Sequence, residues 1–323
     1  MAAGPPAERA AGRPADVPGG PGRAAGADGP GGPGRAAGAD GPGGPGRAAG
    51  ADVPGGPGRA AGADVPVRDA ATVVLLRDGP AGVEVFLLSR IRAMAFAGGM
   101  SVFPGGAVDE RDADATVGWV GPPPAEWAPR LSASESLARA LVCAAVRETF
   151  EESGVLLAGP TADAVCTVDG PGWEVDRVAL EARTLSLADL LARRGLLVRA
   201  DLLRPWAHWI TPVGESRRYD TRFFVAALPG AQLTRAIVGE ADASAWRTPA
   251  AALDEVLRGE RAMMPPTSIT LEEVGAHRTV AGVLAAAEHR VPGPIQPELF
   301  RDESGPVARL PDGREMRLPG GAR

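Results

Sequence analysis

Nine consecutive residues, Arg147-Glu148-Thr149-Phe150-Glu151-Glu152-Ser153-Gly154-Val155, set three carboxylates beside one arginine. On a helix at about 100° per residue, with Glu148 at zero, Glu152 falls at about 40° and Glu151 at about −60°. The three acids therefore share one sector, and like charges at these spacings repel. A hard divalent cation with oxygen ligands compensates such a cluster. The competing reading is an acidic helix end turned to solvent. Leu137, Leu141 and Ala144 fall on the same stripe as the glutamates, and Val142, Val146 and Phe150 fall on the far side. A helix apolar on two sides suits burial between layers, which aims its acidic stripe at a cleft. Arg147 lies one turn before Glu151 and can pair with it.

That helix needs supports. Ser132-Ala133-Ser134-Glu135 has the spacing of a capping box, so the helix is expected to start there and to stop at Gly154, a favourable residue after a helix end. Ala71–Leu76 and Val83–Ser89 read as strands around the turn Asp78-Gly79-Pro80. An Asp- and Pro-rich loop is expected from Asp109 to Leu131, and a further strand at Val155–Leu157. Trp206–Thr211 and Arg222–Leu228 read as strands. Helices are expected at Ser186–Arg194, Pro249–Arg258, Ser268–Val274 and Val280–His289. A hairpin, Val307–Leu310 and Glu315–Leu318, closes the chain. Strands and helices mixed without strict alternation predict an α/β sandwich on a mixed sheet.

Composition narrows the class. Residues 1–66 hold 20 of the 44 Gly and 12 of the 32 Pro, in a twelve-residue repeat running from Gly19 to Pro66. Such a segment cannot bury enough apolar surface to offset its ordering entropy, so a disordered tail is expected over 1–66 and a folded domain over 67–323. The tail has six Arg against six acids, leaving the net charge of −6 on the rest. That weighs against bulk nucleic-acid binding. No apolar run approaches a membrane span. Two cysteines, Cys143 and Cys166, make neither a disulfide framework nor a zinc site, and a cytoplasmic location is expected. A homo-oligomer is left open.

Phe103-Pro104-Gly105-Gly106 followed by Arg147–Val155 resembles the Nudix box, G-x5-E-x7-R-E-U-x-E-E-x-G-U, where U is a bulky apolar residue. Its second half matches at Arg147, Glu148, Glu151, Glu152, Gly154 and Val155, with Thr149 departing at a U position. The box sets its arginine fourteen positions after its first glycine. Here the separation from Gly106 is 147 − 106 = 41. Counting six on from Gly106 reaches Asp112 rather than Glu. An insertion at this place, about 110–132, resembles the coenzyme A and acyl-coenzyme A diphosphatase subgroup. So do Leu87-Leu88-Ser89-Arg90, Val102–Asp109 and Trp209–Phe224.

The resemblance implies a Nudix-type α/β/α sandwich and attack of water on a diphosphate within a small molecule. It implies magnesium, with manganese as an alternative, held by Glu148, Glu151, Glu152 and the Gly106 carbonyl. Arg147 would hold Glu151 in position, and Glu240 is a candidate for a further metal ligand or base. Arg90, Arg217, Arg218 and Arg222 are candidates to meet substrate phosphates, as arginine does well. Arg92 carries the same alternatives, phosphate contact or ordinary surface charge. His208 reads as packing, and Met263-Met264-Pro265-Pro266 as pocket wall or filler. Nucleotide sugars, dinucleotides or capped nucleotides are the alternative substrates. A non-catalytic ligand-sensing module is the alternative role, although such a module has no need of all three glutamates.

Overall fold

Two-residue alternation along the first strand sets the architecture. In the computed structural model, which describes residues 65–90, 100–235 and 241–319, Ala71, Val73 and Leu75 face one buried layer, while Val74 and Leu76 face another. Successive side chains of a strand leave on opposite faces, so a strand apolar on both faces must lie between two layers.

The elements run as β1 (Val67–Gly79), β2 (Gly82–Arg90), β3 (Ser101–Val102), β4 (Gly105–Ala107), β5 (Trp119–Val120), α1 (Pro124–Leu131), α2 (Glu135–Ser153), β6 (Ala158–Gly159), α3 (Pro171–Glu181) and α4 (Leu187–Arg194). They continue as β7 (Leu197–Arg199), β8 (Arg204–Ile210), β9 (Arg218–Ala227), β10 (Ala241–Arg247), α5 (Pro249–Leu257), α6 (Pro265–Gly275), α7 (Val280–Ala287), β11 (Pro294–Ile295), β12 (Glu298–Asp302), β13 (Gly305–Arg309) and β14 (Glu315–Arg317). The main sheet has the order β10-β2-β1-β9-β8-β11. The β1–β9 and β8–β11 pairs are parallel, and the other neighbours are antiparallel. β4 pairs with the first part of β1, matching Ala71 with Gly106 and Thr72 with Gly105.

One face packs on α1 to α4 through Trp127, Leu141, Phe150, Leu180 and Leu190. The other packs on α5 to α7 through Ala252, Ile269, Leu271 and Val283. This is the α/β/α sandwich on a mixed sheet that the pattern predicts. The repeat tail lies outside the described residues except for Val65 and Pro66.

Several local expectations change. The cap of α2 is Ser134, whose Oγ accepts from Leu137 N–H, and not Ser132. Ser132 instead ends α1 in the left-handed region, with φ 51°. The stretch Asp109–Leu131 is not a plain loop: it holds a 3-10 turn at Glu110–Ala113, β5 and α1, which Pro124 starts at a position where its missing N–H costs nothing. Val155–Leu157 is buried but not a strand, and β6 follows it. α3, β7 and β10 were not expected, and β12 joins the closing hairpin to make a three-stranded sheet.

Candidate active site

α2 ends at the site, and its end is electrostatically costly. Glu148, Glu151 and Glu152 all lie near its C-terminus, where the helix dipole is itself negative and the last turn has no basic residue. Gly154 closes the helix in the left-handed region at φ 73°, its N–H donating to the Phe150 carbonyl. Thr149, which departs from the motif, is fully buried and its hydroxyl donates to the Ala145 carbonyl at 2.7 Å. The polar side chain is thus satisfied inside the helix.

Arg147 organises the acids. Its Nε donates to Asp112 Oδ1 at 3.0 Å and its Nη2 to Asp112 Oδ2 at 2.9 Å. Nη2 also donates to the Ala107 carbonyl at 3.0 Å. Nη1 donates to Glu148 Oε1 at 2.7 Å and to Glu151 Oε1 at 3.3 Å. Both Arg147 and Asp112 are buried. Burial opposes the charge on Arg147, but Asp112, Glu148 and Glu151 outweigh it and hold its pKa above the usual value. Arg147 therefore holds Glu148 as well as Glu151, and Asp112 holds Arg147. Asp112 is the residue reached by counting six on from Gly106, which gives that position a definite partner.

β4 closes on the acids from the other side. Gly105 N–H donates to Glu152 Oε2 at 2.7 Å. A Cβ on Gly106 would lie 2.6 Å from Glu148 Oε1, so only glycine lets the backbone approach that carboxylate. Burial, then the neighbouring Glu148 charge, pushes the Glu151 pKa up to about 7. A cation bound beside Glu151 would favour its ionised form. Hard carboxylate and carbonyl oxygens are the donor set a divalent ion such as magnesium takes, so the residues fit the ion in kind. Among the described residues, however, no three acidic, His or Cys side chains converge as a ready-made cluster.

Glu148 and Glu151 border a cavity of about 550 Å³. Gly105, Gly106, Glu148 and Glu151 line one end. Trp209, Ile210, Met264, Pro265, Leu299 and Leu318 give it an apolar side, so the Met-Pro segment is pocket wall. Residues Arg68, Ala70 and Thr72 of β1 and Tyr219, Thr221 and Phe223 of β9 form its floor. The two-residue period explains which expected arginines arrive. Arg217 lines the cavity, whereas Arg218 and Arg222 do not. Arg218 Nε donates to the Thr211 and Pro212 carbonyls. Arg222 is buried, bonded to the Leu131 carbonyl, to Asp69 at 3.0 Å and to Asp220 at 2.8 Å. His208 is buried as expected and pairs with the same Asp220. Arg68, Arg111 and Arg183 line the cavity without having been expected there. Glu240 and Arg92 fall outside the described residues, as does the Arg90 side chain.

The family model described as the NUDT19 Nudix domain matches residues 125–274, from the start of α1 through nearly all of α6. A crystal structure of a Nudix hydrolase from Alicyclobacillus acidocaldarius is 30% identical, with a TM-score of 0.59, and the match covers 72% of this chain and 100% of that one. The chain belongs to the Nudix hydrolase family. Two curated proteins named acyl-coenzyme A diphosphatase NUDT19 are also similar to this Nudix chain. The Homo sapiens protein is 30% identical over 230 residues, covering 59% of this chain and 60% of its own length. The Gallus gallus protein is 28% identical over 248 residues, covering 62% and 65%. The chain thus spans about three fifths of the length of these relatives. The family model begins after Gly106 and Asp112, so the structural contacts of those two residues with Glu148 and Arg147 are what tie them to the site. Among the described residues no helix is long and apolar enough to cross a membrane.

Proposed function

We propose that this Nudix chain hydrolyses the diphosphate linkage of coenzyme A or an acyl-coenzyme A. The observation that carries the reading is the cavity itself. Its acidic end carries Glu148, Glu151 and Gly106, and its side is apolar, which suits an anionic linkage joined to a long, less polar arm. The similarity to proteins named acyl-coenzyme A diphosphatase supports the same choice.

A diphosphate is multiply anionic, and carboxylates alone repel it. Bound magnesium, or manganese, would reverse the local sign, orient the phosphates and lower the pKa of an attacking water. Glu148, Glu151, Glu152 and the Gly106 carbonyl are the groups that would hold it. Arg147 keeps Glu148 and Glu151 turned together, and Asp112 keeps Arg147 from swinging out. The Gly105 N–H fixes one oxygen of Glu152. Glu240 remains the candidate for the base that takes the proton of water. Arg90 and Arg217 remain candidates for the substrate phosphates. The free, buried thiols Cys143 and Cys166 accord with a reducing, cytoplasmic setting.

The test is a panel of diphosphates incubated with magnesium, with products identified by mass. Coenzyme A should yield 3′,5′-ADP and 4′-phosphopantetheine. No cleavage of coenzyme A or its acyl esters, alongside brisk hydrolysis of a nucleotide sugar, would overturn the substrate assignment.

A further inference from the structure

Arg68, Arg183 and Arg217 line the cavity with no ion-pair or side-chain hydrogen-bond partner among the described residues, and Arg68 and Arg217 are the two that lie side by side at the start of β1 and just before β9. Arg147 is neutralised by three carboxylates, and Arg111 is paired with Asp109. Arg68 and Arg217 both line the cavity and are exposed, and among the described residues neither guanidinium has a hydrogen-bond or ion-pair partner. Arg68 is on β1, opposite Tyr219 of the parallel strand β9, and Arg217 lies in the bend just before β9. Arg217 is two residues before Tyr219, so the two arginines approach the same end of the cavity floor. Glu215 also lines the cavity, while the neighbouring Asp69 and Asp220 are paired with Arg222.

Their place relative to the acids is fixed by register. Ala71 pairs with Gly106, and Arg68 lies three residues earlier on the same strand. At the rise of a strand, the Arg68 backbone is therefore about 10 Å from the end of the cavity that Gly106 and Glu148 occupy. Two arginines without acid partners favour a dianion, because charge-assisted bonds to phosphate are short and selective.

We propose that Arg68 and Arg217 form a second anion subsite that takes a phosphomonoester carried by the substrate, separate from the diphosphate held at the acidic end. The proposal rests on the hydrolase reading above for the diphosphate, and it specifies which diphosphates fit. Substrates whose nucleoside bears an additional phosphate on its ribose are preferred to those without one.

The experiment measures binding rather than turnover, so that it stands apart from the hydrolase reading. Adenosine 3′,5′-bisphosphate and 5′-AMP are titrated by calorimetry into the full chain and into Arg68→Ala, Arg217→Ala and the double variant. Two lost charge-assisted contacts are worth about tenfold or more in affinity. The wild type should bind the bisphosphate at least about tenfold more tightly, and the double variant should bring the two affinities to within about twofold. Arg218→Ala, next in sequence but not at the cavity, should keep the gap. Equal affinities in the wild type, or a gap retained by the double variant, would overturn the subsite. A full gap together with no hydrolysis of any diphosphate would instead remove the hydrolase reading and leave the subsite standing.

Discussion

Asp112 grips Arg147 with both carboxylate oxygens across 35 residues of sequence, and both side chains are buried. The pair ties the 3-10 turn after β4 to the last turns of α2, so it sets the approach of the glycine strand to the glutamates. Removing one partner of a buried pair leaves the other uncompensated, at a cost of about 3–5 kcal/mol. Asp112→Ala should lose about 3 kcal/mol, the lower end, because Glu148 and Glu151 still face Arg147. Urea unfolding checks it, and a loss below about 1 kcal/mol would contradict the role given to the pair.

Gly106→Ala probes the contact on the other side. The added methyl meets the end of the Glu148 side chain, which can swing away, and no backbone atom is among its near neighbours. Stability should stay within about 1 kcal/mol while hydrolysis falls sharply, because Glu148 is displaced. A variant with wild-type turnover would show that the close approach is not needed.

The metal-free protein should lose stability as pH rises through the titration of Glu151. Its pKa is about 7 in the folded chain against an ordinary 4.5, so the folded state holds a proton that the unfolded state has released. The contribution is fully present below about pH 4.5 and is lost as pH passes 7. The difference in melting temperature between the wild type and Glu151→Gln isolates it. Glu151→Gln should gain relative to the wild type as pH rises over this window, and a flat difference would contradict the assignment.

Arg183 occupies the left-handed region at φ 58° after α3, where glycine is the default, and its carbonyl accepts from Arg111. Arg183→Gly relieves that backbone and frees the unfolded chain, effects of about 1 kcal/mol that oppose each other. The melting temperature should hold or rise slightly while KM rises, since Arg183 lines the cavity. A clear fall in melting temperature would mean that the arginine is there for stability.

Much of this was legible in the sequence where one period governs a long segment. α2, its end at Gly154 and the grouping of Glu148, Glu151 and Glu152 follow from helical spacing alone. The N-cap failed by two residues because Ser132 was already committed to ending α1, and α1 itself was hidden by the prolines around it. Arg217 and Arg222 were grouped by nearness in sequence. Alternation along β9 would have parted them, since Phe223 and Phe224 face different layers. Counting from Gly106 pointed to Asp112, but its partner could not be read, because a buried pair formed across an insertion leaves no periodic trace. Arg68 gave no signal, being one half of an Arg68-Asp69 charge pair at the start of a strand whose register is set by β9.

The most direct test of the central claim is the turnover of Glu152→Gln beside the wild type, on coenzyme A with saturating magnesium. A ligand charge at the reacting diphosphate is worth several kcal/mol, so kcat should fall by at least about a hundredfold while the metal-free melting temperature holds or rises. Turnover within about threefold of the wild type would contradict the assignment of hydrolysis to the α2 carboxylates.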